Sequence, residues 1–163
     1  MFVYFLILIV AFVYYVLAHE TNKSNSPLLL GVFFLYCALF IGLGDMIGGY
    51  DRYIYGEMFD SIADATDSGR DYSRLLFLVN GREYGYFLWE ILVSQLTANR
   101  YIFILFSSLL MYFLYYKAFR KYISDYPLAS IIFLGLFFYF SITYMRQALA
   151  VGIAWQGIKY LYE

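Results

Sequence analysis

Charge is scarce in this chain of 163 residues: Asp, Glu, Lys and Arg together make up 14%, against about 25% in a soluble domain. A disordered chain needs far more charge. A soluble globule of this size cannot hide 63% hydrophobic residues, so both classes are set aside. The eleven Lys and Arg are scattered and the net charge is −1, which leaves no basic face for a run of phosphates and argues against a nucleic-acid partner. The single cysteine, Cys37, lies among apolar residues with no partner for a disulfide, and reads as inert packing. One histidine, His19, is too few for a zinc or haem site. No Lys-Ser or Lys-Thr follows Gly48 and Gly49, so they mark a sharp exit from a helix rather than a phosphate-cradling loop. Ser94, Ser107 and Ser108 have no histidine near them in sequence, which removes support for a hydrolase triad and makes them helix-packing residues. Internal repeats, heptads and low-complexity tracts are also missing.

What the chain does contain is long apolar runs and 24% aromatic residues. At 1.5 Å per residue, about 20 residues cross the hydrocarbon core of a bilayer. Residues 1–18 are uncharged and form the first span. They lack the basic start and small-residue cleavage site of a secretory signal. A polar connection, HETNKSNSP, leads to a second span over 28–44. Further spans are expected at 101–116, 128–142 and 145–162, with a short helix at 84–98 interrupted by Glu90 and Gln95 that either re-enters or crosses. Between them lies a loop at 45–83, with eight acidic and four basic residues. A segment that long is a functional element rather than a connector. Within it, YIYGEMFDSIADA is able to form a helix with Tyr55, Met58, Phe59 and Ile62 on one side, and RLLFLV forms an apolar patch. The fold class is therefore all-α: a multi-pass integral membrane protein of one domain, with about five transmembrane helices, the short helix and the long acidic loop. Aromatics near run ends, such as Tyr14, Tyr15, Tyr115 and Tyr116, read as interfacial anchors.

Lys117, Arg120 and Lys121 put the 117–126 connection on the cytoplasmic side. If 84–98 re-enters, the acidic loop shares the outer face with Arg146. If it crosses, the loop is cytoplasmic. The short length and Glu90 favour re-entry, whereas the four arginines of the loop favour crossing.

Three motifs stand in order on this frame. Gly49, Asp51, Tyr55 and Phe59 form G-x-D-x-x-x-Y-x-x-x-F; Glu83, Tyr84, Gly85 and Tyr86 read E-x-G-Y; Arg146, Gln147 and Ala150 lie in the last helix. In this order, with two apolar runs between the second and third, they resemble the EpsG-like family of bacterial exopolysaccharide and O-antigen polymerases (Wzy-type). The resemblance covers about residues 45–155. Pro is common between Glu and Gly in such proteins, where this chain has Tyr84. Members are roughly twice as long, so the chain resembles the N-terminal portion of one. The resemblance implies a membrane glycosyltransferase of the bacterial cytoplasmic (inner) membrane that joins lipid-linked repeat units at its outer face in exopolysaccharide, capsule or O-antigen biosynthesis. Its partners would be an undecaprenyl-diphosphate-linked oligosaccharide, the lipid bilayer and other polysaccharide-assembly membrane proteins.

Glycosidic bond formation needs a carboxylate to take the acceptor proton and a cation to stabilise the departing diphosphate. Asp51 or Glu83 suits the first role and Arg146 the second, because the guanidinium fork pairs with phosphate oxygens and keeps its charge beside lipid. If Arg146 begins a helix, free backbone N–H groups add to the anion site. Tyr55, Tyr86 and Gln147 are the substrate-binding candidates, with Tyr53 as a further stacking face. No metal or organic cofactor is expected, since the carboxylates lack dense D-x-D spacing. Plainer readings stand beside these: Asp51 next to Arg52 and Glu83 next to Arg82 as local pairs, Arg146 snorkelling to headgroups, and Glu90 bonded to a neighbouring helix or facing a water-filled cavity. The alternative function is a non-catalytic accessory or transporter-like subunit of an envelope system.

Overall fold

A computed structural model of the chain describes residues 2–21, 23–44, 50–67 and 84–161. Among these residues the fold is all-helical, with seven helices and no strand. They are α1 (Phe2–Glu20), α2 (Pro27–Leu43), α3 (Tyr50–Asp67), α4 (Tyr84–Ser94), α5 (Arg100–Tyr122), α6 (Tyr126–Thr143) and α7 (Met145–Gly157), the last followed by a 3₁₀ turn at Ile158–Leu161. Local chemistry sets several boundaries. Pro27 opens α2 at a position where its missing N–H costs nothing. The Asn99 side chain accepts the backbone N–H of Tyr101 at 2.9 Å, and Asp125 accepts that of Leu128 at 3.1 Å.

Two elements run differently from the sequence expectation. The span expected to stop at residue 116 continues as α5 to Tyr122, so the connection shrinks from 117–126 to three residues. Lys117, Arg120 and Lys121 are good helix formers, and cations in a last turn suit the negative end of the helix dipole. Within the stretch 45–83, the helix that YIYGEMFDSIADA is able to form is present as the longer α3, 18 residues. Tyr55, Phe59 and Ile62 are buried along one face of it, as their spacing predicts. The patch RLLFLV lies outside the described residues. The helix expected over 84–98 ends at Ser94.

The core is a seam between α2 and α5, with α7 on the far side of α5 and α6 completing the bundle. Gly42 makes the seam close: a Cβ there would sit 2.5 Å from Leu105 Cδ1 and 3.0 Å from its Cα. Gly152 does the same for α7 against Leu114 and Tyr115, at 3.1 and 3.2 Å. Phe34, Tyr112, Tyr115, Phe119 and Phe133 interlock between the helices, most ring pairs meeting edge to face. Tyr115 is therefore fully buried, and it donates to the carbonyl of Ala148 at 2.8 Å rather than anchoring at an interface. Tyr14 is likewise buried, stacked on Phe33. Ser107 and Ser108 pack between helices as the sequence suggests, Ser107 accepting from the Trp89 indole at 2.8 Å.

The outer surface is apolar. Phe5, Phe12, Leu28, Leu35, Phe113, Ile132 and Leu136 all face outward, which suits lipid and not water. Two helices, α5 and α6, are clearly long and apolar enough to cross a membrane; the apolar helical stretches Phe5–Glu20 of α1 and Pro27–Leu43 of α2 are shorter. The basic last turn of α5 lies at one end of the bundle, where His19 of α1 meets Asp125 at 3.8 Å. The opposite end carries the C-terminus of α2, the N-terminus of α5, the junction between α6 and α7, and the two helices α3 and α4. Tyr55–Tyr86 and Thr66–Ser94 contacts follow the same order along α3 and α4, so these helices lie side by side and parallel.

Candidate functional site

The site forms where α3 and α4 cover the α6–α7 junction. Tyr144, at φ −110° and ψ 60°, breaks the helical path between Thr143 and Met145, so α7 starts afresh with Arg146 as its second residue. The Tyr144 side chain makes no capping hydrogen bond there. The backbone N–H groups of its first turn therefore form a local positive end next to a guanidinium. The Arg146 guanidinium carbon lies over the Tyr55 ring, 5.6 Å from its centre. Tyr55 in turn meets Tyr86, ring centres 6.0 Å apart, and the Tyr86 hydroxyl points at the Met145 sulfur at 4.0 Å. Phe59 and Phe103 stack beneath at 4.3 Å, so the pair of tyrosines rests on an apolar floor.

Several sequence-predicted residues thus meet. Arg146, Tyr55 and Tyr86 belong to three different helices, each from a different motif, and form one patch. Both tyrosine rings are almost covered, at 4% and 7% exposure, so their faces are turned to each other and to Arg146 rather than to solvent. Asp51 stands one helical turn before Tyr55 on the same face of α3 and is half-buried. Gln147 is exposed beside Arg146 on α7. Glu83 lies outside the described residues, immediately before the first residue of α4.

Three charged residues take places the sequence did not assign. Arg52 reaches the carbonyl of Gly42 at 3.4 Å and is 4% exposed, so it docks α3 on the carbonyl end of α2, where the helix dipole favours a cation. Arg100 pairs with Asp60, lies over the Tyr53 ring at 5.9 Å, and runs close along Gly56. A hydrogen bond to Glu57 and its negative charge hold the Tyr53 hydroxyl above its ordinary range, and Arg100 opposes them. Tyr53 is thus engaged at the α3–α5 contact. Glu90 is buried to 1% exposure on α4, one turn after Tyr86. Its signal in the sequence was a lone carboxylate in an apolar helix. Among the described residues no group of three His, Cys, Asp or Glu side chains comes together.

The family model described as the EpsG family matches residues 28–163, taking in every helix but α1. The chain belongs to the EpsG family. Neither a curated protein nor a solved structure matches the chain. The match extends beyond the 45–155 stretch that carries the motifs and includes α2, whose seam with α5 supports the site. Apolar helices and EpsG membership together mark a membrane protein related to polysaccharide biosynthesis.

Proposed function

We propose that this EpsG-family protein polymerises lipid-linked oligosaccharide repeat units by glycosyl transfer at the outer face of the bacterial cytoplasmic membrane, in exopolysaccharide, capsule or O-antigen assembly. The observation that carries the reading is Arg146: a guanidinium in the first turn of α7, held over the Tyr55 ring beside Tyr86. A departing undecaprenyl diphosphate carries the negative charge such a site suits, and the paired N–H bonds of Arg match its oxygens. In the transfer, the acceptor hydroxyl attacks the anomeric carbon, the bond from that carbon to the diphosphate oxygen breaks, and Asp51 or Glu83 takes the acceptor proton. The position of Asp51 one turn from Tyr55 supports it in this role. Tyr55 and Tyr86 form the wall that orients Arg146, and exposed Gln147 offers a hydrogen bond to sugar or phosphate.

In this reading the chain is multi-pass. Helices α1, α2, α5, α6 and α7 cross, and α4 re-enters, because its 11 residues rise only about 16 Å. The acidic helix α3 then shares the outer face with Arg146, opposite the basic end of α5. The test is Arg146→Lys in cells whose polymer depends on this protein. Long polymer should fall to single repeat units with protein level unchanged. Wild-type polymer length in that variant removes Arg146 from the site and leaves the accessory-subunit reading.

A further inference from the structure

Helix α4 has its hydrophobic pattern inverted at one position. Leu88 and Leu92 face outward at 64% and 53% exposure, whereas Glu90 between them is turned inward at 1%. Burying a carboxylate costs several kcal/mol unless it is offset by cations or hydrogen bonds, and a leucine at this place would pack at no such cost. An inward carboxylate in an apolar helix is therefore a sign of use rather than packing. Its surroundings indicate the use. Glu90 lies one turn from Tyr86, the Tyr86 ring meets Tyr55, and Tyr55 carries Arg146. The Tyr86 hydroxyl lies within electrostatic range of both Glu90 and Arg146. On the described residues the patch thus sets a buried carboxylate close to Arg146 and the first turn of α7, in surroundings that screen little.

We infer that Glu90 is a positioning charge that limits how tightly the Arg146 site holds a diphosphate, so that the leaving lipid diphosphate is released after each transfer. The inference rests on the diphosphate reading above. A site of cations alone would retain its product and stall; a fixed carboxylate nearby weakens the ground-state grip on that product without touching it.

The experiment measures Kd for inorganic pyrophosphate and farnesyl diphosphate with the purified protein in a non-ionic detergent. Wild type should bind, and Arg146→Gln should abolish binding. If wild type binds neither probe, the diphosphate reading fails and takes this inference with it. If the Arg146 result stands, Glu90 is decided separately. Glu90→Gln, which keeps shape and loses charge, should tighten Kd by about fivefold or more, whereas Glu90→Asp should stay within about twofold of wild type. A purely structural Glu90 would instead weaken binding or leave it unchanged in the Gln variant, and either result overturns the proposal. Glu90→Met is the second neutral variant. Failure of both neutral variants to fold while Glu90→Asp folds would make the carboxylate structural and equally overturn it.

Discussion

At the scale of single residues, the site depends on where Arg146 is held. Its guanidinium lies over the face of Tyr55, an arrangement worth about 0.5–2 kcal/mol according to how dry the contact is. Tyr55→Phe keeps the ring face and should leave diphosphate affinity and polymer length close to wild type. Tyr55→Leu removes the face while retaining apolar volume, and should weaken pyrophosphate binding by a few-fold in the same titration. Equal effects of the two substitutions would show that the hydroxyl or the volume, not the ring, matters. That Asp51 and Tyr55 lie on one face of α3 was legible from their spacing, because residues four apart share a helical face. The stack of Tyr55 under Arg146 was not, since the two residues are separated by three intervening helices. Arg52 shows the converse. Beside Asp51 in sequence it read as a local partner, and nothing in the spacing announced that Arg52 reaches the carbonyl of Gly42 on α2.

Among the elements, the α2–α5 seam supports everything above it. Gly42 is the point at which the backbones approach most closely among the glycines with described surroundings, and an added methyl group meets the Leu105 Cα at 3.0 Å, a backbone contact that no side-chain rotation relieves. Gly42→Ala should therefore lower stability by about 1–3 kcal/mol, the usual cost of overpacking, read as a lower thermal midpoint in detergent. Gly31→Ala is the control: its nearest neighbour is the Tyr116 ring at 3.6 Å, an ordinary contact, and the midpoint should hardly move. The Asp60–Arg100 pair ties α3 to the start of α5 but is one-third exposed on both sides. Asp60→Asn should cost less than about 1 kcal/mol and leave the helix count by circular dichroism unchanged. The start of α7 was legible at element scale, because the sequence places a helix from Met145 and the break at Tyr144 falls there. The extension of α5 through Lys117 to Tyr122 was missed. Charge marks where a helix leaves the apolar layer, but it does not end the helix, and lysine and arginine continue one readily.

For the whole molecule, the distribution of ends makes a prediction about sidedness. With Cys37 replaced by Ser, a thiol at exposed Asp64 on α3 and one at exposed Lys121 at the far end of α5 should label from opposite sides of the membrane. The proposed reading requires Asp64→Cys to react with an impermeant reagent on intact cells and Lys121→Cys to react only after lysis. The reverse pattern would separate the α3 carboxylates from an outer-face substrate. The sequence by itself determined that the chain is helical and apolar, because 63% hydrophobic residues in long uncharged runs have few other ways to satisfy their backbone in lipid. It also determined the motifs and their order, which are properties of spacing along the chain. Only the tertiary structure decided that α3 and α4 lie parallel across the α6–α7 junction, that Tyr55 is the surface on which Arg146 rests, and that Glu90 faces inward beside them. Those are contacts between residues far apart in sequence, fixed by which helix faces fit closely against which, and no local pattern encodes that fit.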